Sequence, residues 1–205
     1  HWNPQVLAAH HEMGSESSSY FPPTMAPLHA AIPEAFKFKW QQAFGNGLAR
    51  AFDARGWAYF SRDVFDLFYP SYGDSWPSLQ GAVGMTFEMA GQVGVAYQRR
   101  DGDVLMLMDR VKRHATASLA TVATAAANRE ALLADYAKVR RDQVARGASA
   151  GAFLIGEGAD PGRTRELVAL LRRNGIEVSR TTAAVSTGLE PIGVERLEGR
   201  APAGS

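Results

Sequence analysis

Residues 81–88, with the sequence GAVGMTFE, decide the fold that this chain is expected to adopt. Their apolar character over 81–87 predicts a strand, and this strand closes on a single carboxylate, Glu88. Ahead of it, residues 65–77 (FDLFYPSYGDSWP) are rich in aromatic residues and turn formers, which indicates a loop. The sequence therefore predicts a tyrosine-bearing loop that leads into an apolar strand, and such a strand would desolvate the carboxyl group at its end.

A second switch from apolar to polar residues lies near the start of the chain. Residues 5–9 (QVLAA) predict a short buried strand, and residues 12–33, rich in serine and proline, predict a long loop. His11 stands between them, so a rigid strand would hold its imidazole beside a polar loop. Because side chains alternate along a strand, His10 is expected to point to the opposite side. A neutral imidazole in such a place is a preferred zinc ligand.

The remaining pattern alternates helices and strands, which predicts the α/β class. The predicted elements are a helix over 33–55, a strand over 57–60, a hairpin with strands at 93–97 and 104–107, and a helix over 109–143. The long helix carries an apolar stripe at Val111, Leu119, Val122, Ala126, Leu133, Tyr136 and Val139.

A change of composition at residues 146–151 (RGASAG) predicts a flexible linker, after which a new unit begins. Residues 152–155 (AFLI) predict a buried strand. A helix is expected over 164–173, with Asp160 as its N-cap, and a second strand over 176–178. This β-α-β order predicts the beginning of a second α/β domain.

Composition narrows the chemistry that the chain can perform. The 205 residues carry a formal net charge of +1 and no long block of one sign, so no nucleic-acid footprint is indicated. Without cysteine the chain has no disulfide, thiolate ligand or thiol nucleophile, and any metal must be held by His, Asp and Glu. No run approaches the roughly 18 apolar residues that span a bilayer. Small polar or peptide partners are favoured.

Three segments carry a resemblance to a known family: residues 11–15 (HEMGS), 20–23 (YFPP) and 72–77 (YGDSWP). With the ending TFE at 86–88, they resemble bacterial members of the carboxypeptidase A group of zinc carboxypeptidases. The resemblance covers residues 1–142 and implies the C-terminal half of the catalytic domain, a mixed sheet flanked by helices. It also favours a periplasmic or extracellular location.

The resemblance implies an order of domains. Residues 1–145 are expected to be the C-terminal part of the peptidase domain, and residues 152–205 the opening of a glutamine-amidotransferase-like, flavodoxin-like domain beyond the 146–151 linker. The chain is accordingly expected to be an internal fragment, and its oligomeric state is left open.

Roles follow from the same resemblance. His11 matches the last of three zinc ligands, and Glu88 matches the general acid/base that acts beside the metal on a peptide substrate. A tyrosine of the preceding loop closes over the substrate, and Tyr69 and Tyr72 are both candidates. Asp74 and Trp76 are expected to help build this loop and the wall of the substrate pocket.

The chain also departs from the family pattern. The first two zinc ligands of the family lie on a His-x-x-Glu motif, and no histidine here has a glutamate three places later. An acidic residue commonly precedes the ligand histidine by two places, where this chain has Ala9. A catalytically inactive, peptidase-like peptide-binding module therefore stays open as an alternative. In a third reading, the C-terminal α/β unit is the functional centre.

Overall fold

The apolar stretch around residue 85 forms strand β5, Val83–Ala90, in the computed structural model of the protein. Strand β1, Val6–Met13, pairs with it in parallel, and strand β2, Ser19–Tyr20, pairs antiparallel on its other side. The structure describes residues 2–92, 94–149, 151–156 and 160–184. Its mixed three-stranded sheet, in the order β1-β5-β2, and its helices confirm the general α/β class.

Strand β5 is buried on both faces, and the two faces differ in chemistry. One face carries the apolar side chains that join the core, namely Val83, Met85, Phe87 and Met89. The other face carries Gly84, Thr86, Glu88 and Ala90, because side chains alternate along a strand. The first face stabilises the fold by about 1.5–3 kcal/mol for each large apolar side chain removed from water. The second face is not needed for the apolar core, and its side chains make polar contacts such as the hydrogen bond from Thr86 to Asp74.

The helix predicted over 33–55 is confirmed, with a π-helical beginning. Residues Ala35–Trp40 form the π-helical segment, which continues directly into helix α1, Gln41–Asp53. Large side chains at every fourth position enter the core: Phe36, Trp40, Phe44, Leu48 and Phe52. This spacing keeps the side chains on one side of the helix, which explains why the sequence pattern identified it.

The single helix predicted over 109–143 is wrong, because the chain forms two helices there. Helix α3 is Leu107–Ala127 and helix α4 is Arg129–Ser149, with Asn128 between them. The Asn128 side chain donates to the carbonyl of Thr124 at 2.8 Å and satisfies the end of α3. No helix in the described part of the chain combines the length and the apolar character that crossing a bilayer requires.

The apolar stripe predicted on this region is also largely wrong. Val111, Leu119, Val122 and Leu133 are exposed, and Leu119 is 72% exposed. Of the predicted stripe, Val139 is buried and Tyr136 packs against the core, and the other buried positions are Arg110, Ala117, Thr121, Thr124 and Leu132. Small and hydroxyl-bearing residues face α1 because the two helices approach closely: a Cβ on Gly47 would overlap the hydroxyl oxygen of Thr124. Close packing of the two helices requires small side chains at these positions, and a search for large apolar residues does not identify them.

The strand predicted over 57–60 is wrong, since only Phe60 makes an isolated bridge, to Tyr20. Besides β2, two further short strands lie inside the segments predicted as loops. They are β3, Met25–Leu28, and β4, Asp66–Leu67, which pair in parallel. Strands of two to four residues are too short for a period to be detected, which explains the omission.

The predicted hairpin is confirmed within the described residues. Strand β6, Ala96–Gln98, pairs antiparallel with β7, Val104–Met106. Gly102 in the connecting turn has a φ of 94°, a conformation that glycine adopts readily. Val93, where the first strand was predicted to begin, lies outside the described residues.

The chain divides into two units, His1–Arg146 and Gly147–Ser205. The second unit contains helix α5, Pro161–Arg173, whose N-cap Asp160 accepts from the amide of Gly162 at 2.8 Å, as predicted. The strands predicted over 152–155 and 176–178 are wrong, since both ranges are described and neither is a strand. Short apolar runs do not form strands without a partner to pair with. Part of the predicted linker is helical, because α4 extends to residue 149, and residues 185–205 lie outside the described part.

A short helix, α2 (Ser75–Leu79), packs directly on the glycine-bearing face of β5. The Ser78 hydroxyl donates to the carbonyl of Asp74 at 2.7 Å and accepts from the amide of Gly84 at 3.2 Å. A Cβ on Gly84 would overlap the carbonyl oxygen of Asp74. Glycine is therefore required at residue 84 for close contact between helix and strand.

We expect Gly84→Ala to lower the free energy of unfolding by about 2 kcal/mol or more, because the added methyl group meets backbone atoms that have no space to move. Urea denaturation followed by far-UV circular dichroism measures this change. Gly14→Ala is the matched control, since a Cβ there meets no atom within 4 Å. Equal stability of the Gly84→Ala variant and the parent would contradict the packing described here.

Candidate functional site

Three side chains lie in one row across the sheet. In the ladder between β1 and β5, His11 is opposite Glu88, and in the ladder between β2 and β5, Tyr20 is opposite Glu88. Residues directly opposite each other place their side chains on the same face. Glu88 therefore has an imidazole on one side and a phenol on the other.

His11 and Glu88 are in direct contact although 77 positions separate them in the sequence. The Nδ1 atom of His11 lies 3.3 Å from each carboxylate oxygen of Glu88. The His11 side chain is 71% exposed and the Glu88 side chain is 6% exposed. The pair thus spans the boundary between solvent and the protein interior. His11 lies within β1, which runs two residues further than the histidine.

The pKa of the Glu88 carboxyl is raised above its ordinary value. Burial is the largest cause, and the nearby charge of Asp74 raises the pKa further. The neighbouring His11 opposes this shift through its charge and its hydrogen bond. A carboxyl group with a raised pKa can both accept and return a proton nearer to neutral pH, which is what a general acid/base does.

Asp74 directly follows the exposed, tyrosine-bearing residues 68–73, and it is itself only 3% exposed. Its Oδ2 atom accepts a hydrogen bond from the hydroxyl of Thr86 at 2.8 Å. Thr86 is two residues before Glu88 and on the same face of β5, so Asp74 reaches the strand next to the buried glutamate. Burial raises the pKa of Asp74, and the bond from Thr86 is the main influence that opposes that rise.

The other predicted loop residues lie at the surface. Tyr69, Tyr72 and Trp76 are all exposed, and the two tyrosine rings meet edge to face with centroids 5.5 Å apart. The Tyr72 amide donates to the carbonyl of Tyr69 at 3.1 Å. In the described part of the chain neither tyrosine hydroxyl is hydrogen-bonded to His11 or Glu88. Both tyrosines remain candidates for contact with a substrate.

Tyr20 is a site residue that the sequence interpretation missed. Its side chain is fully buried, and its hydroxyl has no hydrogen-bond partner among the described residues. Burial raises the pKa of this phenol, and so do the charges of Asp74, Asp66 and Glu88. The segment YFPP at 20–23 served only to mark the family resemblance. The only sequence feature that pointed to Tyr20 is the aromatic character of residues 20–21, and this character is equally typical of a core residue.

The opposite side of β1 secures the strand to α3. The Nε2 atom of His10 lies 2.7 Å from the hydroxyl oxygen of Ser118, and its ring meets the edge of Phe87. His114 of α3 places its Nε2 atom 3.1 Å from the carbonyl oxygen of His11. His10 therefore points away from Glu88, as strand alternation predicts, and the backbone that carries His11 is held from behind.

The donor types at this site suit zinc, and their number does not complete a zinc site. A catalytic zinc ion takes about three protein ligands, among which imidazole is preferred. His11 is accessible and fits one such position. Within the described residues, no group of three or more His, Asp or Glu side chains is placed to hold a metal ion. His11 therefore supplies one ligand at most, with Glu88 beside it.

No protein-family model, curated protein or solved structure matches this chain. The candidate site therefore depends on its own geometry: a solvent-accessible imidazole, a buried carboxyl group and an exposed tyrosine loop brought together around β5.

The raised pKa of Asp74 predicts a pH-dependent contribution to stability. Between its unfolded value, near 3.8, and its higher folded value, the folded protein binds the proton more tightly than the unfolded chain. Stability from this group is therefore full below pH 3.8 and is lost as the pH rises through the folded pKa. Asp74→Asn removes the titrating group. We expect the free energy of unfolding of this variant, minus that of the parent, to rise with pH over this window, as measured by urea denaturation at successive pH values. A difference that is constant with pH would contradict the assignment.

Proposed function

We propose that this chain forms part of the active site of a zinc-dependent metallocarboxypeptidase, with His11 as a zinc ligand and Glu88 as the general acid/base. The observation that carries the proposal is the contact between the exposed His11 imidazole and the buried Glu88 carboxyl group, 3.3 Å apart on adjacent parallel strands. The resemblance to the zinc carboxypeptidases assigned the same two residues from the sequence.

The metal would be Zn²⁺, held by His11 and by two ligands from sequence outside these 205 residues. When bound, zinc supplies Lewis-acid polarisation of a peptide carbonyl and lowers the pKa of bound water. The chain's own contribution is rigidity, since β1 is fixed on one side by β5 and on the other by α3. A ligand on such a strand keeps its position relative to Glu88.

Glu88 would take a proton from the attacking water and return it to the leaving amine of the peptide. Burial supports this role because it raises the pKa of the carboxyl group, and the contact with His11 fixes the direction in which the group faces. A group that exchanges protons with a substrate also needs access. The contact with the exposed His11 supports such access, because it places the carboxyl group close to the protein surface.

The peptide substrate would be covered by the exposed loop that carries Tyr69 and Tyr72. The rings of both tyrosines are exposed to solvent and are therefore available to contact a ligand. Trp76, also exposed, extends the same surface. Asp74 is buried, which favours a supporting role in this loop over direct contact with a substrate.

The test uses the longest natural polypeptide that contains these residues, with bound zinc and cleavage of C-terminally free and blocked peptides as readouts. We expect stoichiometric zinc and cleavage only of free C-termini. Glu88→Gln should keep the zinc and lose about 10²–10⁴-fold in kcat, the range that general acid/base groups contribute. His11→Ala should lose zinc. Glu130→Gln, on the exposed surface of α4, is the matched control and should change neither.

The outcomes separate the two interpretations of the site, a zinc peptidase and an inactive peptide-binding module. Zinc binding with activity that survives Glu88→Gln would overturn the role given to Glu88. A polypeptide without zinc or activity that still binds peptides would overturn the enzyme proposal and establish the inactive binding module instead.

A further inference from the structure

The tyrosine loop is an exposed arc between two buried ends. All of residues 68–73 are exposed, whereas Leu67 before them and Asp74 after them are buried. At the first end, the carbonyl of Leu67 accepts from the amide of His29 at 2.8 Å. The position of the arc therefore depends on how its two ends are fixed.

The second end is fixed by Asp74 through contacts to β5. The side chain of Asp74 accepts from Thr86, and its backbone carbonyl accepts from Ser78 and packs against Gly84. Residues 84, 86 and 88 lie on the same face of β5. Thr86, which anchors the loop, and the buried Glu88 are thus neighbouring positions on one face of β5.

The Asp74 carboxyl group has an unusual setting for a residue that serves the fold alone. It sits at the start of α2, yet its side chain forms no capping hydrogen bond to that helix, as an N-cap aspartate commonly does. It crosses to Thr86 instead, and no ion pair within the described residues compensates its charge. Hydrogen bonds to a carboxylate are about twice as strong as neutral ones, so the bond from Thr86 adds substantially to the backbone contacts that hold this end of the loop.

We infer that Asp74 is a positioning residue, whose hydrogen bond from Thr86 fixes the tyrosine-bearing segment 68–73 relative to Glu88. The functional meaning of this anchor rests on the proposed function, whereas the anchor itself is a property of the chain. Loss of the Thr86 hydroxyl weakens this anchor and leaves the backbone contacts of Asp74 in place, without removing a side chain from the core or from the surface that a substrate would contact.

The structural arm of the test uses the 205-residue chain and native-state proteolysis by chymotrypsin. Thr86→Val keeps the shape of the side chain and removes the hydroxyl donor. We expect cleavage after Phe68 and Tyr72, two exposed residues of this segment, to become about tenfold faster, because a hydrogen bond to a charged group restrains the segment. Cleavage after the exposed Phe38 should not change. Thr86→Ser should restore the parent rate.

The matched control is Thr116→Val on α3, because the same substitution is then made at a threonine that is half-buried like Thr86. We expect this variant to be cleaved at the parent rate after Phe68 and Tyr72. Asp74→Ala tests the anchoring bond from its other end, and we expect it to accelerate cleavage as Thr86→Val does.

The two ends of the bond should act as one. We expect the Asp74→Ala/Thr86→Val double variant to be no faster than either single variant, because both changes remove one interaction. An unchanged rate at Phe68 and Tyr72 in both single variants would overturn the inference. So would an equal acceleration at Phe38, since that result indicates general destabilisation.

The catalytic arm uses the longer polypeptide, once its peptidase activity has been shown. Thr86→Val should lower kcat/KM, and the loss should not add to that of Tyr69→Phe or of Tyr72→Phe, whichever tyrosine contacts the substrate. Additive losses with both tyrosines would overturn the positioning role. If no longer polypeptide has activity, the proposed function fails, while the proteolysis result still decides whether the anchor exists.

Discussion

The parallel ladder between Val6–Met13 and Val83–Ala90 is the constraint on which the rest of this structure depends. Its register places His11 opposite Glu88, so two residues far apart in sequence meet without any contribution from a loop. A slip of one residue would exchange His11 for His10 or Glu12 and turn the imidazole to the other face. The buried apolar side of β5 disfavours a slip of one residue, because such a slip changes the face that each side chain occupies relative to Met85 and Phe87 in the core.

The two faces of β5 have separate tasks, and the contrast between them explains the local sequence. Apolar residues at alternate positions fix the strand against the helices, while Gly84 and Thr86 receive Asp74 and α2 on the other side. The polar side leaves Glu88 buried beside an exposed histidine. One strand therefore provides both core packing and a buried carboxyl group, because the period of two places them on opposite faces. The surrounding loops then supply contacts that rigid strands cannot.

The sequence predicted those features that have a regular period or a strong turn signal. The strands around residues 85 and 8, the helix with a large side chain at every fourth position and the Asp-Gly hairpin belong to this group. The division of the long helix at Asn128 was missed because a side chain that caps its own helix resembles any polar residue within it. Its buried stripe was missed because close helix packing favours small residues. Tyr20 and the burial of Asp74 depend on tertiary pairing, which no local pattern reports.

The most direct test of this account is the register of the central ladder in solution. Amide and Hα nuclear Overhauser effects across β1 and β5 can be measured by NMR on the isotopically labelled 205-residue chain. The account predicts contacts that place His11 opposite Glu88, within an unbroken parallel ladder from Val6 and Val83 to Met13 and Ala90. Contacts that place Glu88 opposite His10 or Glu12, or an antiparallel pattern, would contradict it.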